Sequence, residues 1–145
     1  MPRKLSVKYR KPPAVIINRV AFRDKKLVYV ALANKKIRYR WGCSRIVYFG
    51  TTKRGARRIA ASAAWKGADV LFEHGVKHLE LIIVVCGKTR GVETWKKLER
   101  ALIIRFREKL GAPPRANATG QNMRWGDERN YFSDKQLDKV IDGLG

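Results

Sequence analysis

Glu99 is a carboxylate on the apolar stripe of the chain's strongest amphipathic pattern, where Trp95, Leu98, Leu102, Ile103 and Phe106 recur at intervals of three and four. Burying an unpaired carboxylate is costly, so a sequence that keeps one there gives it a metal ion, a cation or a catalytic task. A structural ion pair is the plainer alternative. Lys53, Arg54, Arg57 and Arg58 form a second cluster, after Gly50. Guanidinium groups of this kind make paired, charge-assisted hydrogen bonds to phosphate oxygens. His74 and His78 stand four apart, a helical metal spacing, but no third ligand accompanies them and zinc is not expected. Cys43 and Cys86 are too few for a disulfide framework and read as reduced, partly buried thiols.

The charge balance points to the kind of partner such groups would meet. Lys and Arg number 33 against 12 Asp and Glu, a net charge of +21 on 145 residues. Residues 1–60 hold 18 of the basic side chains and one acidic one, so the field is concentrated in the first part of the chain. It attracts a polyanion, and the phosphate backbone of DNA or RNA is the commonest one. An anionic membrane is the competing partner, but no long apolar run or basic amphipathic segment with exposed aromatics stands out. No signal-peptide stretch follows the initiator, so an intracellular setting, cytoplasmic or nucleoid-associated, is expected.

The elements that must position these groups follow from periodicity. Residues 1–13, with Arg3, Lys4, Lys8, Arg10, Lys11 and the Pro12-Pro13 pair, read as an extended basic arm, and residues 14–145 as one domain. Residues 14–22, 26–33 and 45–50 are rich in Val, Ile and Tyr and read as strands. Residues 34–44 would be a long basic connection between the last two, carrying Arg38, Arg40 and Trp41 as nucleic-acid contacts together with Lys53, Arg54 and Arg57. An alanine-rich helix is expected at 55–65, a helical or irregular stretch at 69–74, and a strand with a buried centre at 78–86. The long helix at 93–110 stops at Gly111 and Pro113-Pro114. Ser133 to Gln136 fits a capping box for a short final helix with Leu137, Val140, Ile141 and Leu144 on its buried face. The expected fold class is α+β, a small, mainly antiparallel central sheet flanked by helices.

Taken in order, Leu27-Val28-Tyr29, Val47-Tyr48-Phe49-Gly50, Arg58 in Ala-Arg-Arg-Ile, Glu99 in Leu-Glu-Arg-Ala-Leu-Ile and Asn117 in Pro-Pro-Arg-Ala-Asn resemble the GIY-YIG nuclease superfamily. The resemblance spans roughly residues 27–117. It implies a divalent-metal-dependent endonuclease that hydrolyses phosphodiester bonds, with DNA as the substrate and RNA as the alternative. By resemblance, Glu99 would hold one Mg²⁺ or Mn²⁺ ion and Arg58 would grip the scissile phosphate. Tyr29 and Tyr48 would position or activate the attacking water, although a phenol with an ordinary pKa of about 10 is a poor base unless nearby cations lower it. Asn117 would tie the loop after the long helix to the catalytic face.

Ser62 stands where relatives carry His or Tyr as a proton-transfer group, and Lys53 or His74 are the substitutes at hand. A second function class therefore stays open: a catalytically inactive nucleic-acid-binding protein, associated with RNA or a ribonucleoprotein, that keeps the fold without cutting. No heptad repeat indicates a dimer.

Overall fold

The computed structural model describes residues 4–8, 26–53, 75, 76 and 78–145. The expected strand at 14–22, the helix at 55–65 and the stretch at 69–74 lie outside the described residues, as do Arg54, Arg57, Arg58, Ser62 and His74. Within those described, the chain is α+β, with three antiparallel strands and two helices. Strand β1 is Leu27–Arg38, β2 is Cys43–Thr52 and β3 is Leu79–Val84, in the order β2-β1-β3.

Being the middle strand, β1 is buried without interruption from Leu27 to Ala33. That explains why this stretch shows no polar alternation: a strand covered on both faces reads as one apolar run. The residues after Ala33 do not form the long connection expected of them. Pairing continues to Arg38, and β2 begins at Cys43, leaving only the turn from Tyr39 to Gly42, closed by the Tyr39 N–H donating to the Gly42 carbonyl at 2.7 Å. Ile37 and Tyr39, two apart and both buried in an otherwise basic run, hold the strand ends against the core. Between Leu32 and Ile37 the register shifts, and there Lys35 and Lys36 are exposed. Strand β3 also departs from expectation. Its centre is half-buried, because among the described residues it is an edge strand paired with β1 alone.

Helix α1, Thr94–Leu110, supplies the other half of the core. Leu98, Leu102, Ile103 and Phe106 are buried, and Phe106 meets the rings of Tyr39 and Phe49 edge to face at 5.0 and 6.1 Å. Gly111 ends the helix in the left-handed conformation, with φ 79°, its N–H donating to the Arg107 carbonyl. Helix α2, Asp134–Leu144, begins with the expected capping box: Ser133 Oγ accepts from the Gln136 N–H while Gln136 Oε1 accepts from the Ser133 N–H. Leu137 and Ile141 are buried, whereas Val140 and Leu144 are half-buried. Cys43 is exposed rather than partly buried, and Cys86 is half-buried. Among the described residues no helix is long and apolar enough to cross a membrane.

Candidate functional site

The register of β1 on β2 sets Tyr29 opposite Gly50 and Ala31 opposite Tyr48. Tyr29 and Tyr48 are therefore diagonal neighbours on one face, close enough for long side chains to touch. Their ring centroids are 5.8 Å apart and the two phenols are hydrogen-bonded. Gly50 makes the arrangement possible. A Cβ at this position would lie 2.4 Å from Tyr29 Cζ, 2.5 Å from its hydroxyl and 2.6 Å from Tyr48 Cε1, so the rings occupy the space that any other residue's side chain would need. Tyr29 is buried, and Tyr48 half-buried.

Asn117 fixes the strand that carries this pair. Its Oδ1 accepts from the Phe49 N–H at 2.8 Å and its Nδ2 donates to the Phe49 carbonyl at 2.9 Å, so one side-chain amide replaces a neighbouring strand. The Ala116 N–H adds a bond to the Val47 carbonyl at 2.9 Å. Phe49 is buried between the two exchanged bonds, with Tyr48 and Gly50 on the opposite face. Asn117 is itself buried, and it touches backbone rather than reaching the tyrosine hydroxyls.

Glu99 lies at the rim of the α1 stripe, half-buried rather than enclosed. Its charge reaches the Tyr48 phenol. Burial pushes the Tyr48 pKa above its ordinary value, the Glu99 carboxylate pushes it further, and the hydrogen bond from Tyr29 only partly offsets them. Of the two roles left open for a tyrosine, orienting water and activating it, the raised pKa suits the first. Tyr48 stays a neutral phenol and can donate a hydrogen bond.

The most enclosed carboxylate among the described residues is another one. Glu128 is 3% exposed and accepts from Arg100 Nε at 2.8 Å and from the Gly126 N–H at 2.6 Å. Burial raises its pKa, but the Arg100 bond and the backbone N–H groups outweigh that and hold it below the usual carboxylate range. It is fully engaged in holding the segment after Asn122 onto α1. No local sequence signal marks it, because its partner Arg100 lies 28 residues away.

The other predicted contacts are not gathered at the tyrosines. Lys53 is exposed beyond the end of β2, where its charge acts on Glu93. Arg38, Arg40 and Trp41 surround the hairpin turn at the other end of the strands, about 20 Å from Tyr48 at the usual rise of a strand. Tyr39 is buried, its hydroxyl donating to the Ile46 carbonyl at 2.7 Å and accepting from the Arg115 N–H. Its ring is therefore closed to a base. Trp125 is half-buried, with Arg129 over its ring at 4.1 Å and its Nε1 donating to Glu108. A cleft of about 610 Å³ between the end of β3 and the start of α1 is lined by Lys26, Lys88, Thr94 and Trp95 but not by either tyrosine. Among the described residues no three His, Cys, Asp or Glu side chains come together as a ready-made metal site.

No protein-family model matches the chain, and no curated protein or solved structure is significantly similar to it.

Proposed function

We propose that the protein is a divalent-metal-dependent endonuclease that hydrolyses phosphodiester bonds in DNA. The observation that carries the reading is the packing of Tyr29 and Tyr48 over Gly50, with the charge of Glu99 reaching Tyr48, on a strand braced by Asn117. These are four positions of the sequence pattern, drawn from elements as far apart as residues 29 and 117.

In this proposal the Tyr48 phenol, kept protonated, donates to the attacking water or to a phosphate oxygen and sets its direction, with Tyr29 holding the phenol in place. Arg58, by its position in the pattern, clamps the scissile phosphate. Glu99 is the side chain that would hold Mg²⁺ or Mn²⁺, since a half-buried carboxylate is a hard oxygen donor of the kind these cations take. When bound, such a cation supplies positive charge against the phosphate oxygens as negative charge develops. With one protein carboxylate, binding of the cation to the free protein is expected to be weak, and substrate oxygens must complete the set. Lys53 is a second cation for the flanking phosphate, and its exposure suits that task better than proton transfer.

The raised Tyr48 pKa also favours a second reading, because a neutral phenol leaves water without a base there. This is the catalytically inactive nucleic-acid-binding protein, for RNA or a ribonucleoprotein. One experiment separates the two: supercoiled plasmid and a structured RNA incubated with the protein in Mg²⁺, Mn²⁺ or EDTA. Metal-dependent nicking that disappears in Glu99→Ala and Arg58→Ala, while binding survives, is the expected result. Binding without cleavage in every metal would overturn the nuclease and leave the binding protein.

A further inference from the structure

Among the described residues, Trp41 is the one Trp, Phe or Tyr that is exposed, with 64% of its surface open. It sits at the centre of the turn joining β1 to β2, and that turn is held from three sides. The Trp41 N–H donates to the Leu110 carbonyl at 3.0 Å, borrowing an acceptor from the end of α1. Gly111 lies flat beneath it: a Cβ there would be 2.8 Å from Trp41 Cδ2 and 2.8 Å from Arg40 Cβ. On the other flank Arg115 Nη2 donates to the Arg38 carbonyl at 2.7 Å while its guanidinium lies 5.3 Å from the Tyr39 ring.

A tryptophan left open on a flexible loop would be an ordinary surface residue. Here the turn is fixed before any ligand arrives, so little conformational freedom remains to be lost on binding. The Arg40 guanidinium stands 5.9 Å from the Trp41 ring, and Arg38 and Arg115 are exposed around the same turn. Among the described residues neither Arg38 nor Arg40 is paired with a carboxylate. A flat π-surface ringed by guanidinium groups that, among the described residues, face no carboxylate matches a nucleobase flanked by its phosphates.

We infer that Trp41 is a rigid stacking platform for an unpaired base of a polynucleotide, with Arg38, Arg40 and Arg115 holding the phosphates beside it. A fully paired duplex hides the faces of its bases except at its ends, so the platform selects substrates that carry a bulge, a gap or a single-stranded segment. The inference rests on the nucleic-acid part of the proposed function but not on catalysis.

The test is done in EDTA, so that cleavage plays no part. Three DNAs of equal length are titrated with the full chain: a perfect duplex, the same duplex with a single bulged 2-aminopurine, and a single strand carrying that base. The wild type is expected to bind the bulged and single-stranded DNAs about tenfold more tightly than the duplex and to quench the 2-aminopurine fluorescence. Trp41→Ala should lose both the preference and the quenching, Trp41→Phe should keep most of each, and Arg40→Ala should weaken all three DNAs alike. Thermal melting of each variant establishes that the fold is retained. Equal binding of the three DNAs by the wild type, or an unchanged preference in Trp41→Ala, overturns the platform while leaving the nucleic-acid reading intact. Absence of binding to any DNA or to a matched RNA overturns both.

Discussion

The β1–β2 hairpin and the helical half that starts at α1 are both rich in cations, and they use them in opposite ways. Residues 26–53 contain Lys26, Lys35, Lys36, Arg38, Arg40, Arg45 and Lys53 without a single acidic side chain. Of these, Arg45 reaches a carboxylate, Glu80 on β3, at 3.4 Å. In the helical half several cations are tied to carboxylates: Arg105 makes a two-pronged bond to Asp138 at 2.7 and 2.9 Å, Lys109 meets Asp142 at 2.8 Å and Arg100 meets Glu128 at 2.8 Å. Lys97 is paired with Asp127 as well. Among the described residues, the ion pairs that brace the fold are therefore concentrated in the helical half, whereas most hairpin cations stand clear of carboxylates. Net charge alone conceals that division.

The sharpest way to break the comparison is at Asn117, where the two halves are joined. Asn117→Ala leaves the buried N–H and carbonyl of Phe49 without partners, and a loss of about 3 kcal/mol in chemical denaturation is expected. Asn117→Asp keeps the acceptor but loses the donor, so it should recover only part of that. Gly50→Ala comes next, at about 2 kcal/mol, because the new Cβ must displace both tyrosine rings. If Gly50→Ala melts like the wild type and the tyrosine pair is unchanged, the close approach at this glycine is not what shapes the site.

Smaller effects should sort by region. Arg105→Ala is expected to cost about 1 kcal/mol of stability, since its partners are partly exposed, and to leave the salt dependence of DNA binding unchanged. Arg40→Ala should do the reverse, leaving the melting temperature unmoved while reducing the slope of log K against log salt by about one.

The pH dependence follows the same border. Asp138 has its pKa lowered by the Arg105 bond, and Glu128 by Arg100 and backbone N–H groups against its burial. A lowered folded-state pKa gives stability that is present above the unfolded value of about 4 and lost as pH falls through the folded value. Acid loosening should therefore begin in the α1–α2 half, and hydrogen exchange measured from pH 5 down to pH 2 checks it. Earlier opening in the acid-free hairpin would contradict the division. At the alkaline end, Glu99→Gln should lower the Tyr48 pKa toward its ordinary value by removing a nearby negative charge, which tyrosinate absorbance can follow.

Local signals were legible where local chemistry sets the outcome. Gly111 with Pro113-Pro114 marks the end of α1 because only glycine adopts that left-handed turn cheaply, and Ser133 with Gln136 marks the start of α2 because both hydrogen bonds lie within four residues. The strand at β1 was legible from its Val, Leu and Tyr content, but its cover on both faces was not: the buried centre was expected at 78–86, which is the half-buried β3. The hairpin was misjudged as a long connection because its basic residues hid Ile37 and Tyr39, and the register shift that accommodates the exposed lysines has no signature in one strand alone. Glu128 was missed because nothing adjacent in sequence reveals that Arg100 will reach it from 28 residues away.

By itself, then, the order of residues determined the acid-free stretch, the helix boundaries and the ordered set of Tyr29, Tyr48, Glu99 and Asn117, since these are properties of residue type and spacing. Only the tertiary structure decided that a missing Cβ at Gly50 admits two rings, that Asn117 completes a strand 68 residues away, and that Glu99 raises rather than relieves the Tyr48 phenol. The physical reason is range. Periodicity and caps act within a few residues along the chain, whereas close approach, desolvation and charge act through space and exist only once the elements are packed.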